Sequence, residues 1–289
     1  MHRMRTWPFH TRFFFKIHMK STRTLGDQSR LDHGRPNDEH EFFHNFLLFS
    51  PSYQLAHKFM TGGVVEQQQI DKVFDWDQVL ETYALCGDIF SIPYLEWWDQ
   101  RGKDVFYTRQ TDGSYLPTGP IQLLNNKIRI VTLKEYRKVI VGKPRMEKQD
   151  GKKVEHWQLA VVWGITSSWT KQLKVDDKKT HANLEARTAL GILVSKKLKE
   201  ALYLVENAAR GKFPSIEPIK SGLTLKDAEI LEITDLQYEL NTKNKRDRKE
   251  KGLYVPKSYY LRKILPKWKL EMEKKLEIEK QVRLKLQKT

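Results

Sequence analysis

Residues 182–210 read ANLEARTALGILVSKKLKEALYLVENAAR, and the fold class turns on this stretch. Leu198, Ala201, Leu202 and Val205 recur at helical spacing, as on the buried stripe of an amphipathic helix. Gly191 interrupts the pattern and divides it into expected helices at 183–190 and 193–209. Gly211, with Pro214 beyond, supplies the stop.

Working backward, residues 158–164 are apolar enough for a buried helix or strand. As a helix they would complete a candidate helix-turn-helix within residues 157–214, whose third helix could enter a groove. Ser195, Lys196, Lys197 and Lys199 lie at the start of that third helix. Arg187 precedes them, and Arg210 and Lys212 extend the basic surface. Lys171, Lys174, Lys178 and Lys179 fill the loop before it. The helix start carries no Asn, Gln or Arg, so phosphates rather than base edges are the expected contacts. The loop of about 18 residues is long for the motif, and an ordinary amphipathic helix in a bundle would leave the same pattern.

The charge is unevenly spread. The chain has 289 residues and a formal net charge of +16. Residues 126–213 carry +11, residues 242–289 carry +11 and residues 1–31 carry +6, while residues 32–125 carry −8 and 214–241 carry −4. Clustered positive charge points to a polyanionic partner. Lys245, Arg246, Arg248 and Lys249 belong to a charge run at 241–251 that reads as a linker. A basic amphipathic helix from Pro266 onward then offers a surface for nucleic acid or a protein partner.

The acidic, aromatic segment 32–110 reads as helices. Asn37-Asp38 starts one at 39–49, Pro51 starts another ending at Gly62-Gly63, Asp75 opens a third closed by Gly87, and Pro93 begins a fourth at 94–100 with Gly102 after it. A β element follows. Asp112-Gly113 is a hairpin turn signal and residues 127–131 alternate as a short strand. Thr132 and Glu135 form a capping-box pattern for a helix to about 141, and 143–153 reads as a charged loop. Thr224 caps a short helix at 225–231. Residues 1–31 read as a basic arm without a secretory apolar core.

His40-Glu41-Phe42-Phe43-His44 matches H-E-x-x-H and resembles the zincin metalloprotease motif. On a helix both imidazoles share a face, where they could hold zinc with Glu41 as general base. His57 and Glu66 are the nearest third ligands. The competing reading puts Phe42, Phe43, Phe46 and Leu47 in the core, with His40 and Glu41 on a solvated face. Trp76, Trp97 and Trp98 could stack bases or fill a core, and Cys86 reads as core. A P-loop, a dinucleotide fingerprint and a nucleophile elbow are all missing from the sequence.

The runs FFHNFLLFSPSYQLA (42–56), LEWWDQRGKDVF (95–106) and VSKKLKEALYLVENAARGKFP (194–214) resemble uncharacterised proteins of bacterial mobile elements. The resemblance implies a bacterial cytoplasmic protein working with DNA or in phage defence, and it transfers no residue roles.

The expectation is an α+β, predominantly helical protein. It has a basic arm (1–31), a helical domain (32–110), a basic central domain (111–240) and a basic linker and C-terminal helix (241–289). Its expected function is nucleic-acid binding, to duplex DNA first, as a regulator or subunit, without cofactor and without a membrane. The alternatives are a zinc hydrolase and a scaffold whose basic tail binds an acidic protein.

Overall fold

A computed structural model describes residues 37–252, apart from 112–114, 125–127, 166 and 220–221. The basic arm and the helix expected from Pro266 lie outside the described residues. Within them the chain is predominantly helical, with one two-stranded antiparallel sheet.

The first helices follow their caps. The Asn37 side chain accepts from the backbone N–H groups of Glu39 and His40, both at 2.9 Å, and starts α1 (Asp38–Leu48). Ser50 caps α2 (Pro51–Met60), with Pro51 at the first helical position, where a missing N–H costs nothing. A short α3 (Gln67–Ile70) precedes α4 (Trp76–Cys86), which Gly87 closes at φ +69°. From Pro93 the chain runs through α5 (Tyr94–Trp97), a π-helical turn (Trp98–Gly102) and α6 (Lys103–Phe106). Gly102 therefore does not end the helix as expected. A Cβ there would lie 2.7 Å from the Trp98 ring and 2.9 Å from that of Trp97, so glycine admits the two indoles.

Two strands, β1 (Thr108–Arg109) and β2 (Tyr115–Leu116), pair as Thr108 with Leu116 and Arg109 with Tyr115. This agrees with the hairpin signal. The strand expected at 127–131 does not form in its described part, because Ile130 and Val131 begin α7 (Ile130–Asp150). Ile130, Leu133, Tyr136 and Ile140 share one helical face, a period that outweighs a five-residue alternation. Thr132 and Glu135 fall inside that helix, so they do not cap it; Arg129 holds the cap position. The loop expected at 143–153 is also corrected: α7 continues through buried Pro144 to Asp150.

Residues 156–163 are helical, as α8 (His156–Trp163), and a single turn, α9 (Ser167–Thr170), follows. The division at Gly191 is overturned. α10 runs unbroken over His181–Ala208, 28 residues, so the candidate helix-turn-helix has no second turn. One glycine costs a helix about 1 kcal/mol, less than the burial of Ala186, Leu190, Val194, Ala201, Leu204 and Val205 along one side returns. Leu202, expected in that stripe, is 48% exposed.

The last helix, α11 (Asp227–Glu250), absorbs both the short helix expected at 225–231 and the expected linker. Three anchors hold the charged half in place. Gln237 donates to the carbonyls of Ile89 and Phe90 at 3.0 Å, the Asn241 side chain accepts from Tyr94 N–H at 3.0 Å, and Arg248 meets Asp99 at 2.9 Å.

Buried residues from Phe42 to Ile230 form one cluster with α10 packed on α7, α8 and α1. Where α10 ends, the hydroxyls of Ser50 and Ser52 donate to the Glu206 carboxylate, and Arg210 donates to that carboxylate and to the Phe74 carbonyl.

Candidate nucleic-acid interface

The cations singled out in the sequence occupy very different environments. Arg210 is 2% exposed and paired with Glu206, so it is a core residue and not part of a basic surface. Lys197 donates to Glu135 at 2.7 Å, and Arg248 to Asp99, which leaves each a structural partner. Arg187 lies over the Trp157 ring, 4.1 Å from its centroid. Ser195 gives its hydroxyl to the Gly191 carbonyl at 2.8 Å and meets His156 Nδ1 at the same distance. Desolvation and then Lys143 keep that imidazole below its usual range.

Lys196, Lys199, Lys212, Lys245, Arg246 and Lys249 are exposed. Lys196 and Lys199 lie within α10, and Lys212 follows its C-terminal end, about 42 Å from its start.

One group of exposed cations precedes α10, and another, Lys243, Lys245, Arg246, Lys249 and Lys251, lies at the end of α11. Lys171, Lys174, Lys178 and Lys179 are all exposed, and none makes an ion pair with another described residue. Gln158 of α8 donates to the Val175 carbonyl at 3.2 Å and fixes the loop from below. Asp177 turns its carboxylate onto the Lys174 N–H at 2.7 Å, and Asp176 stays exposed. The four ammonium groups thus precede the positive end of the longest described helix, where backbone N–H groups favour anions.

The H-E-x-x-H stretch follows the core reading for Phe42, Phe43, Phe46 and Leu47, all buried, and departs from it at His40. His40 and His44 are both buried, 2% and 1% exposed, so His40 is not on a solvated face. His40 packs against Trp98 and Phe106, at centroid distances of 4.7 and 4.4 Å, while His44 packs against Trp97 and Tyr94. Burial pushes both imidazoles down to about 3. Asn37 N–H donates to His40 Nδ1, whereas neither His44 nitrogen has a hydrogen-bond partner. Glu41 is exposed. Of the third-ligand candidates, His57 pairs with the Tyr83 hydroxyl and Glu66 is exposed beside α3. No group of three or more His, Cys, Asp or Glu side chains able to hold a metal occurs among the described residues. The aromatic setting accounts for the motif as core packing.

Trp97 and Trp98 are buried, and Trp97 donates to the Cys86 carbonyl at 2.8 Å, so neither is offered for stacking. Trp76 packs edge-on against Phe59. The Cys86 thiol is buried and its ionisation is pushed up by desolvation.

One feature escaped the sequence reading. Between α7 and α11 lies an open groove of about 560 Å³ lined by Arg145, Lys148, Gln149, Leu231, Asp235 and Tyr238. Taking 143–153 as a loop and ending the short helix from 225 at 231 separates these residues; a helical reading puts Arg145 and Lys148 one turn apart on one face.

No family model, curated protein or solved structure matches the chain. No helix among the described residues is long and apolar enough to cross a membrane.

Proposed function

We propose that this protein binds nucleic acid through phosphate contacts, with Lys171, Lys174, Lys178 and Lys179 at the N-terminal end of α10 as the principal contact surface. The observation that carries the reading is that these four exposed cations lack an ion-pair partner among the described residues and precede a helix N-terminus. Lys196 and Lys199 add cations farther along α10. Each phosphate neutralised releases counterions, which makes the affinity steeply salt-dependent. Duplex DNA is the expected form, since regularly spaced phosphates suit contacts without base readers.

The test is binding of the full chain to random duplex DNA and to RNA across a salt series. Log affinity should fall with log salt at about −0.9 per phosphate contacted on duplex DNA. Replacing the four lysines by Gln should flatten that slope by about 2 or more, whereas Lys212→Gln should leave it unchanged. A slope indifferent to the four lysines would overturn the reading.

A further inference from the structure

The groove between α7 and α11 has the make-up of a nucleotide site. It is an open surface groove of about 560 Å³. Arg145 donates to one oxygen of Asp235 at 2.7 Å, and Lys148 lies 3.7 Å from the other oxygen. The carboxylate therefore sits as a bridging anion between two cations. All three side chains are about half-exposed or more, and such surface pairs contribute little to stability, so another anion can take the carboxylate's place at small cost. Guanidinium and ammonium groups together suit a phosphate. Beside them the Tyr238 ring is 64% exposed, with Leu231 as the apolar floor and Gln149 supplying an amide.

We propose that this groove holds one unpaired nucleotide of a bound strand, its phosphate on Arg145 and Lys148 in place of Asp235 and its base against the Tyr238 ring. Asp235 competes for the cations, so an isolated nucleotide gains little. A strand held elsewhere supplies the phosphate at high local concentration, which favours a strand over a free nucleotide. The ligand's identity rests on the nucleic-acid reading above; its place rests on the groove alone.

The experiment compares the full chain's affinity for a labelled thymidine 12-mer and for an abasic 12-mer with the same phosphates. Stacking should favour the thymidine strand roughly tenfold. Tyr238→Ala should erase that preference while leaving abasic binding unchanged, and Tyr238→Phe should keep it. Asp235→Asn should tighten both strands about threefold, a gain that a merely structural ion pair would not give. Equal affinity for the two strands, or a preference that survives Tyr238→Ala, overturns the base site while phosphate binding by the lysine loop stands. Displacement of the strand by thymidine 5′-monophosphate at equal nucleotide concentration overturns the strand-bound form. Failure of both strands to bind at low salt overturns this proposal; the nucleic-acid reading falls with it only if duplex DNA also fails to bind.

Discussion

Arg210 lies one helical turn beyond Glu206 and donates to its carboxylate at 2.9 Å, both side chains buried where the end of α10 meets the α1–α2 turn. Removing either partner strands a buried charge. Arg210→Met is expected to cost about 3–5 kcal/mol in denaturant unfolding, and adding Glu206→Leu should recover only part of that loss, because the buried Ser50 and Ser52 hydroxyls then lose their acceptor. Binding per folded molecule should not change. A stable Arg210→Met variant with weakened binding would return Arg210 to the interface.

His44 makes a prediction of opposite sign at neutral pH. Its two ring nitrogens are buried without partners in an aromatic cage, so His44→Phe is expected to stabilise the protein by about 1–2 kcal/mol at pH 7. Chemical denaturation measures it directly, and a loss of stability would mean that the nitrogens are needed.

Acid should widen that difference. His40 and His44 are held at about 3, whereas the unfolded chain takes up protons from about 6.5 downward. Their contribution is complete above pH 6.5 and is lost as pH falls toward 3, by up to about 1.4 kcal/mol per unit for each ring. Glu39 works the other way. Burial lifts it to about 7, so it favours the folded state as pH falls from there toward 4.5, by an amount that its partial exposure reduces. The comparison of His44→Phe with the parent cancels Glu39. The gap between them should grow below pH 6.5, and a constant gap would show that His44 takes up its proton in the folded state.

The glycines test the path of the chain. A Cβ at Gly191 meets nothing within 4 Å, so Gly191→Ala should add up to about 1 kcal/mol by helix propensity. A drop in melting temperature would instead indicate a turn at this position. Gly119 is the contrast. A Cβ there would collide with the Phe106 carbonyl carbon and lie 2.5 Å from Tyr107 nitrogen, backbone atoms that cannot swing aside, so Gly119→Ala should cost about 1–3 kcal/mol.

Elements with local chemistry were legible in the sequence. Asn37, Ser50 and Gly87 mark helix ends by satisfying or terminating backbone hydrogen bonds within a few residues, and these boundaries match the structure closely. What could not be read depends on distant partners. The charged half of α11 has few apolar residues, and Asp99, Tyr94 and Ile89, roughly 150 residues earlier, hold it in place. Gly191 and Pro144 carry breaker signals, yet buried neighbours on both sides keep their helices continuous. The same distance problem hid Arg210. Its spacing places it after a basic run, and only the fold brings Ser50, Ser52 and Phe74 to its carboxylate partner and guanidinium.

The Ser52–Glu206 hydrogen bond joins positions 154 residues apart. At synthesis rates of 5–20 residues per second, the ribosome needs roughly 8–30 s to supply the second partner after the first. During that interval the apolar face of FFHNFLLF, residues 42–49, lacks the α10 surface that covers it in the finished molecule. The nascent chain thus emerges with an aromatic helix uncovered, the kind of segment that holding chaperones shield until the rest arrives.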